Sequence, residues 1–273
     1  MALKGKLDTA LLSHQGMVRT NNEDSIGEDQ DIGLLVLADG MGGYNAGEIA
    51  SGLAIQTILD RLRREWKTLA HGEVDTVTGN SVEAMQLKVA VETAHSTIHQ
   101  VSQSQPQCAG MGTTVVVALV HDDRLSIAYV GDSRLYRLRQ GVLEQVTRDH
   151  SLIEELVARG HYTREEAKKL VRKNIVTRAL GVEEKVLVDV LEDPVEIGDV
   201  LLLCSDGLSD MLTDEQIRLT LNQFADNLPK AAEALVNKAN ENGGKDNVSV
   251  VLARVDGSTT RGRRWFERLM EWF

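Results

Sequence analysis

The sequence predicts an α+β fold with mainly antiparallel sheets, and three observations carry that reading. Short apolar runs of strand length fall into two groups along the chain. Pairs of segments with helical periodicity separate those groups. Connections within a group are short and hairpin-like, whereas a doubly wound parallel sheet needs a helix between consecutive strands.

Leu7 to Ser13 reads as a first strand, and Arg19 to Asp24 as polar loop or strand end. Gly33 to Ala38 is a short, continuous apolar run that suits a strand buried on both faces. It ends in Asp39-Gly40-Met41-Gly42-Gly43, where the glycines are expected to turn the backbone sharply and let it approach a ligand. Asn45, with Glu48 three residues on, forms a capping pair for a helix carrying Ile49, Leu53, Ile58, Leu59, Leu62 and Trp66 at helical spacing. His71 to Asn80 reads as a surface loop, and Val82 to Val101 as a second helix. His95 and His99 share one face of that helix, but Ser96 stands where a zinc-protease motif needs Glu. A partly exposed polar face is the expectation there.

Thr113 to Val120 and Leu125 to Val130 form a hairpin around His121-Asp122-Asp123-Arg124, and Arg134 to Leu138 is a further strand. Ser151 to Leu170 returns to helical spacing, broken at Gly160 and restarted at Thr163 with Glu166 as capping partner. This charge-dense excursion, about 150–177, interrupts the strands and reads as an inserted flap. Val186 to Leu191 and Val200 to Cys204 are strands again. Thr213 with Gln216 opens one helix, Pro229 suits the first turn of the next, and Gly243-Gly244 closes it. Val248 to Val255 ends the core.

With 273 residues, 42% of them hydrophobic, the chain can bury a sizeable core. Its net charge of −11 argues against a general nucleic-acid binder, which needs clustered Lys and Arg. Cys108 and Cys204 are the only cysteines and read as small buried side chains. No apolar stretch reaches the roughly 18 residues of a membrane span, and no signal-peptide core is seen, so a cytoplasmic location is expected.

Acids recur near strand ends: Asp39, Asp132, Asp206 and Asp246 each stand close to the boundary of an apolar run, and Asn21-Asn22-Glu23-Asp24 follows the apolar stretch around Leu11 and Leu12. Like charges gathered in one place raise one another's pKa unless something neutralises them. Hard divalent cations do so with oxygen ligands alone, so the pattern reads as an all-oxygen metal site.

In order, these pieces resemble the metal-dependent protein phosphatase family (type 2C, PPM), most closely its bacterial catalytic domains. The matching residues are Arg19 with Asn22-Glu23-Asp24, Asp39-Gly40-Met41-Gly42-Gly43, Gly112-Thr113-Thr114, Val130-Gly131-Asp132-Ser133-Arg134, Asp149-His150-Ser151, Thr177-Arg178-Ala179-Leu180-Gly181, Ser205-Asp206-Gly207-Leu208 and Gly244-Lys245-Asp246-Asn247. The resemblance covers Leu7 to Val255 and implies a four-layer α/β/β/α sandwich, with a catalytic domain over 1–257. It implies hydrolysis of phosphoserine and phosphothreonine by a water bridging two Mn²⁺ or Mg²⁺ ions, in opposition to a cognate Ser/Thr kinase. Asp39 then matches the bridging ligand, the Gly40 carbonyl a ligand to one ion, and Asp206 and Asp246 the remaining ligands. Glu23 and Asp24 match the acidic pair on the second ion, and Asp132 the acid that holds a weaker third. Arg19 matches the arginine that grips the substrate phosphate, and Asn247 a supporting neighbour. Three departures stand out. Met41 occupies the place of a histidine assigned as general acid in eukaryotic relatives. His14 replaces a frequent Asp. In the flap, Leu170-Val171-Arg172-Lys173 replaces a frequent His-Pro pair, and Ala158 a position that can be acidic.

Residues 258–273 lie beyond the resemblance. Trp265, Phe266, Leu269, Met270, Trp272 and Phe273 form an apolar stripe ringed by Arg261, Arg263, Arg264 and Arg268. Such a basic amphipathic segment can lie on a membrane surface, dock on a partner protein or pack on its own domain. The chain is expected to act as a monomer on phosphoproteins. A hydrolase for small phosphate esters and a silent phosphoprotein-binding scaffold are the competing readings.

Overall fold

A computed structural model describes residues 7–42, 46–160, 162–171 and 175–256. In chain order the strands and helices are β1 (Leu7–His14), β2 (Asp24–Asp29), β3 (Leu34–Met41), α1 (Ala46–Trp66), α2 (Val82–Ser104), β4 (Gly112–Thr113), β5 (Val115–His121), β6 (Arg124–Val130), β7 (Arg134–Arg139), β8 (Val142–Gln145), α3 (Leu152–Ala158), α4 (Arg164–Leu170), β9 (Asp189–Pro194), β10 (Val200–Cys204), α5 (Asp206–Ser209), α6 (Asp214–Gln223), α7 (Leu228–Glu241) and β11 (Val248–Val255). One sheet has the order β1-β11-β10-β7-β8, and the other β2-β3-β5-β6-β9 with β4 beside the end of β3. Every strand pairing is antiparallel.

Strand periodicity builds the layers. On β3, Leu34, Val36 and Ala38 pack with Ala54, Ile58, Leu87 and Val91 of α1 and α2, while Leu35 and Leu37 face the other sheet. On β10, Leu201 and Leu203 meet them between the sheets, and Leu202 and Cys204 pack outward on Leu235 and Val236 of α7. Both faces of both sheets are therefore covered, which gives the four-layer sandwich. Small residues let α1 approach closely: Ala46, Gly47, Ala50, Ser51 and Ala54 are buried, whereas Ile49 of the expected stripe is exposed.

Several expectations shift. The backbone does not turn at Gly40: β3 runs on to Met41, pairing Gly40 with Thr113 and Met41 with Gly112. Gly40 serves close packing instead, since a Cβ there would meet the Gly47 carbonyl oxygen and lie 2.6 Å from Glu23 O. Asp24–Asp29 is a strand that its polar sequence concealed, and β8 was also unforeseen. The strand expected at Val186–Leu191 is Asp189–Pro194, fixed by its ladder to β6. His95 is buried rather than partly exposed. Its Nδ1 accepts from Gly181 N–H at 3.1 Å, and His99 Nδ1 lies 3.2 Å from Gly181 O, so both histidines serve the loop after Leu180. The capping boxes at Thr163–Glu166 and Thr213–Gln216 are present. Asn45 and the segment 258–273 lie outside the described residues.

Candidate active site

The cleft lies at one end of the paired sheets, where β3, β10 and the approach to β11 finish. Arg19, Glu23, Asp39, Gly40, Asp132, Asp206 and Asp246 line one cavity of about 550 Å³, together with Met41, Ile175 and Val176. Asp24 sits beside it, the ladder partner of Asp39 across β2 and β3. All nine residues singled out from the sequence therefore lie in or against one cleft, Asn247 included.

Backbone contacts hold these groups in place. Thr114 N–H donates to Asp39 O at 2.9 Å, and Thr113 Oγ1 donates to the same oxygen at 2.8 Å. Gly40 N–H donates to Glu23 O at 3.1 Å. Asn247 ties the loop before β2: its Oδ1 accepts from Glu23 N–H at 2.9 Å, and its Nδ2 donates to Gln15 O and Asn21 O at 3.0 and 2.8 Å. Gly16 and Gly207 allow the backbones of this loop and of α5 to press on Asp246 and Asn247. His14 Nδ1 accepts from Gly16 N–H at 2.9 Å, so the histidine at this departure closes a local turn. Apart from this local turn, none of these ties was legible except through the Gly-Thr-Thr and Asp-Asn motifs, because each joins residues far apart in sequence.

The electrostatics are those of crowded carboxylates. Burial first, and then the charges of Asp24, Asp206, Asp132 and Asp246, raises the Asp39 pKa well above the carboxylate range. Asp206 is raised well above it by burial and by Asp132, Asp246, Asp210 and Asp24. Burial followed by the Asp149 charge pushes Asp132 up to about 6. Burial also raises Glu23, against the pull of Arg19. Asp24 is buried; its Oδ2 accepts from Ser205 Oγ at 2.9 Å, while its Oδ1 has no hydrogen-bond partner. Arg19 crosses the rim, with Nη2 2.7 Å from Asp246 Oδ2 and its side chain 51% exposed. Burial works against its charge, but Asp246, Glu23 and Asp39 outweigh that and raise its pKa.

Among the described residues, no three His, Cys, Asp or Glu side chains close around a single point; the acids stand around the cleft instead. Their chemistry still fits hard divalent cations: an all-oxygen set, high negative charge and a buried carboxylate oxygen without a donor. Neither cysteine reaches the cleft, and Cys204 is a buried thiol pushed up to about 12 by burial.

Comparison with known proteins places this geometry. The family model for protein phosphatase 2C matches residues 14–250. The serine/threonine phosphatase stp of Listeria monocytogenes serotype 4b is 38% identical over 252 residues, covering 91% of this chain and 96% of that protein. The crystal structure of the Mycobacterium tuberculosis serine/threonine phosphatase PstP/Ppp superposes with a TM-score of 0.80 at 36% identity, over 92% of this chain and 99% of that one. The PstP catalytic domain in complex with two manganese ions gives 0.77 at 37% identity, over 92% and 99% of the two chains. The cleft thus occurs in a frame shared along nearly the whole described length, and the chain belongs to the protein phosphatase 2C family.

Proposed function

We propose that this protein is a metal-dependent serine/threonine phosphatase that hydrolyses phosphoserine and phosphothreonine in proteins, opposing a Ser/Thr kinase in bacterial signalling. The observation that carries the reading is the convergence of Asp39, Asp206, Asp246 and Arg19 on one cleft within the family's frame. Two Mn²⁺ or Mg²⁺ ions, when bound, supply the Lewis acidity that activates the attacking water and offsets the phosphate charge.

In this reading Asp39, the Gly40 carbonyl, Asp206 and Asp246 hold the two ions, Glu23 and Asp24 serve the second, and Asp132 serves a weaker third. Carboxylates that raise one another's pKa release protons as cations bind, so ion binding strengthens with pH. Arg19 meets the phosphate, since a planar guanidinium can bond two phosphate oxygens at once. Its ion pair with Asp246 keeps it at the rim until a substrate anion competes for it. Met41 lines the cleft but its thioether has no proton to give, so the leaving-group proton does not come from that position. Ile175 and Val176, at the end of the segment read as a flap, line the cleft, which supports a part for that segment in substrate choice.

The catalytic domain is assigned to 1–257, and the tail 258–273 to docking on a membrane surface or a partner protein. Among the described residues no helix is long and apolar enough to cross a membrane; a monomer acting in the cytoplasm is the reading adopted. A substrate panel tests the function. Phosphothreonine and phosphoserine peptides should be turned over in preference to nucleotides, and Asp39→Ala should abolish that turnover. A marked preference for nucleotides would replace the reading with that of a small-ester hydrolase.

A further inference from the structure

We propose that His150 is a positioning residue that locks the Gly131–Asp132 turn and the root of the flap into one unit, and so sets how Asp132 and the Ile175–Val176 segment face the cleft. The proposal rests on the role given to Asp132 above.

His150 grips Gly131 twice. Its backbone N–H donates to Gly131 O at 2.9 Å, and its Nδ1 accepts from Gly131 N–H at 3.1 Å. An imidazole nitrogen that accepts carries no hydrogen, so in the neutral ring the proton sits on Nε2. That nitrogen faces Asp189 Oδ2 at 3.2 Å, and Arg178 Nη1 holds the other oxygen of the same carboxylate at 3.1 Å. Tyr129 stacks on the ring, centroids 5.1 Å apart and planes at 20°. Ring orientation and tautomer are therefore fixed by groups on β6, β9 and the segment before it.

Gly131 needs an outside clamp. Its φ is +112°, and a Cβ there would lie 2.5 Å from Thr114 Cβ and Cγ2, so no side chain can anchor the turn. The residue next to it is Asp132, which lines the cleft. On its other side His150 joins the flap: its carbonyl accepts from Thr177 N–H at 2.8 Å, Leu152 N–H donates to Ile175 O at 3.0 Å, and Ser151 bridges Val176. Both ends of the flap thus meet at the residue that holds the Asp132 turn. A flap displaced at its root would carry Asp132 with it.

Two substitutions separate the two halves of the imidazole. His150→Asn keeps an acceptor near the place of Nδ1, and His150→Gln keeps only a donor near that of Nε2. Both are compared with His150→Ala and Asp132→Asn in the full chain, checked for folding by thermal melts. The readouts are kcat and KM on an aryl phosphate and on a phosphothreonine peptide, and the Mn²⁺ concentration for half-maximal activity. His150→Gln and His150→Ala should lose about 10- to 100-fold in kcat on both substrates and need more Mn²⁺, as partners that orient ligands do. Their KM for the aryl phosphate should hardly change, and His150→Asn should recover most of the loss. Equal impairment of the Asn and Gln variants, or undiminished activity of His150→Ala beside an impaired Asp132→Asn, would overturn the coupling. Full activity of Asp132→Asn would remove the role of Asp132 itself, and the proposal with it.

Discussion

Replacing Asp24 by Asn should make the protein more stable and less able to use ions. Asp24 is 8% exposed, and its Oδ1 has no hydrogen-bond partner. Burial, against hydrogen bonds from Ser249 and Ser205 and with the charge of Asp246 adding to it, raises its pKa from 3.8 to about 6. At about 1.36 kcal/mol per pH unit, the ionised carboxylate costs the folded state about 3 kcal/mol. The folded-state pKa lies above the unfolded one, so the protonated acid favours the folded state. That advantage is complete below pH 3.8 and lost as pH rises through about 6. Asn removes the charge and keeps an acceptor for Ser205 Oγ. In chelator, Asp24→Asn should therefore gain up to about 3 kcal/mol over the parent at pH 8, and only about 1 kcal/mol at pH 4.5. Urea unfolding at the two pH values, with an unchanged slope, reads the difference. Excess Mn²⁺ at pH 8 should stabilise the parent far more than the variant. A variant less stable than the parent at pH 8 in chelator, or a difference that ignores pH, would refute the reasoning.

Arg19→Ala should lower kcat/KM for a phosphopeptide by about 10²-fold, and Arg19→Lys should recover only part of it, because an ammonium lacks the planar fork; steady-state kinetics with both variants checks this. Gly40→Ala forces a Cβ against backbone atoms of Gly47 and Glu23, which cannot give way, so it should reach the upper end of the roughly 1–3 kcal/mol cost of overpacking. Gly52→Ala, inside α1 with nothing within 4 Å of its Cβ, should instead gain about 0.5–1 kcal/mol in the same urea experiment. Iodoacetamide should leave activity untouched while the protein is folded, because Cys108 and Cys204 are buried and the Cys204 thiol is pushed up to about 12.

What could be read from the sequence was what a local pattern encodes. The continuous apolar runs at Leu34–Ala38 and Val200–Cys204 announce strands covered on both faces, and the capping residues Thr163 and Thr213 announce helix starts. Asp24–Asp29 escaped because it is an edge strand with only Ile26 as a large apolar residue, so its ladder to β3 defines it and its composition does not. The slip from Val186–Leu191 to Asp189–Pro194 has the same cause, since pairing with Arg124–Tyr129 sets the register. In the site, the acids were legible because burying charge at strand ends is costly and therefore conspicuous. Their supports were not. Asn247 reaching back to Glu23, and Gly207 yielding to Asn247, are contacts between segments some 40 to 224 residues apart, which no local spacing can show.

The most direct test of the account is phosphate release from a phosphothreonine peptide by chelated protein, titrated with Mn²⁺ and Mg²⁺, for the parent chain and for Asp206→Asn and Asp246→Asn. The account expects no turnover in chelator, recovery in the parent with added ion, and little or none in either variant at the same concentration. Turnover that persists in chelator, or full recovery in both variants, would contradict it.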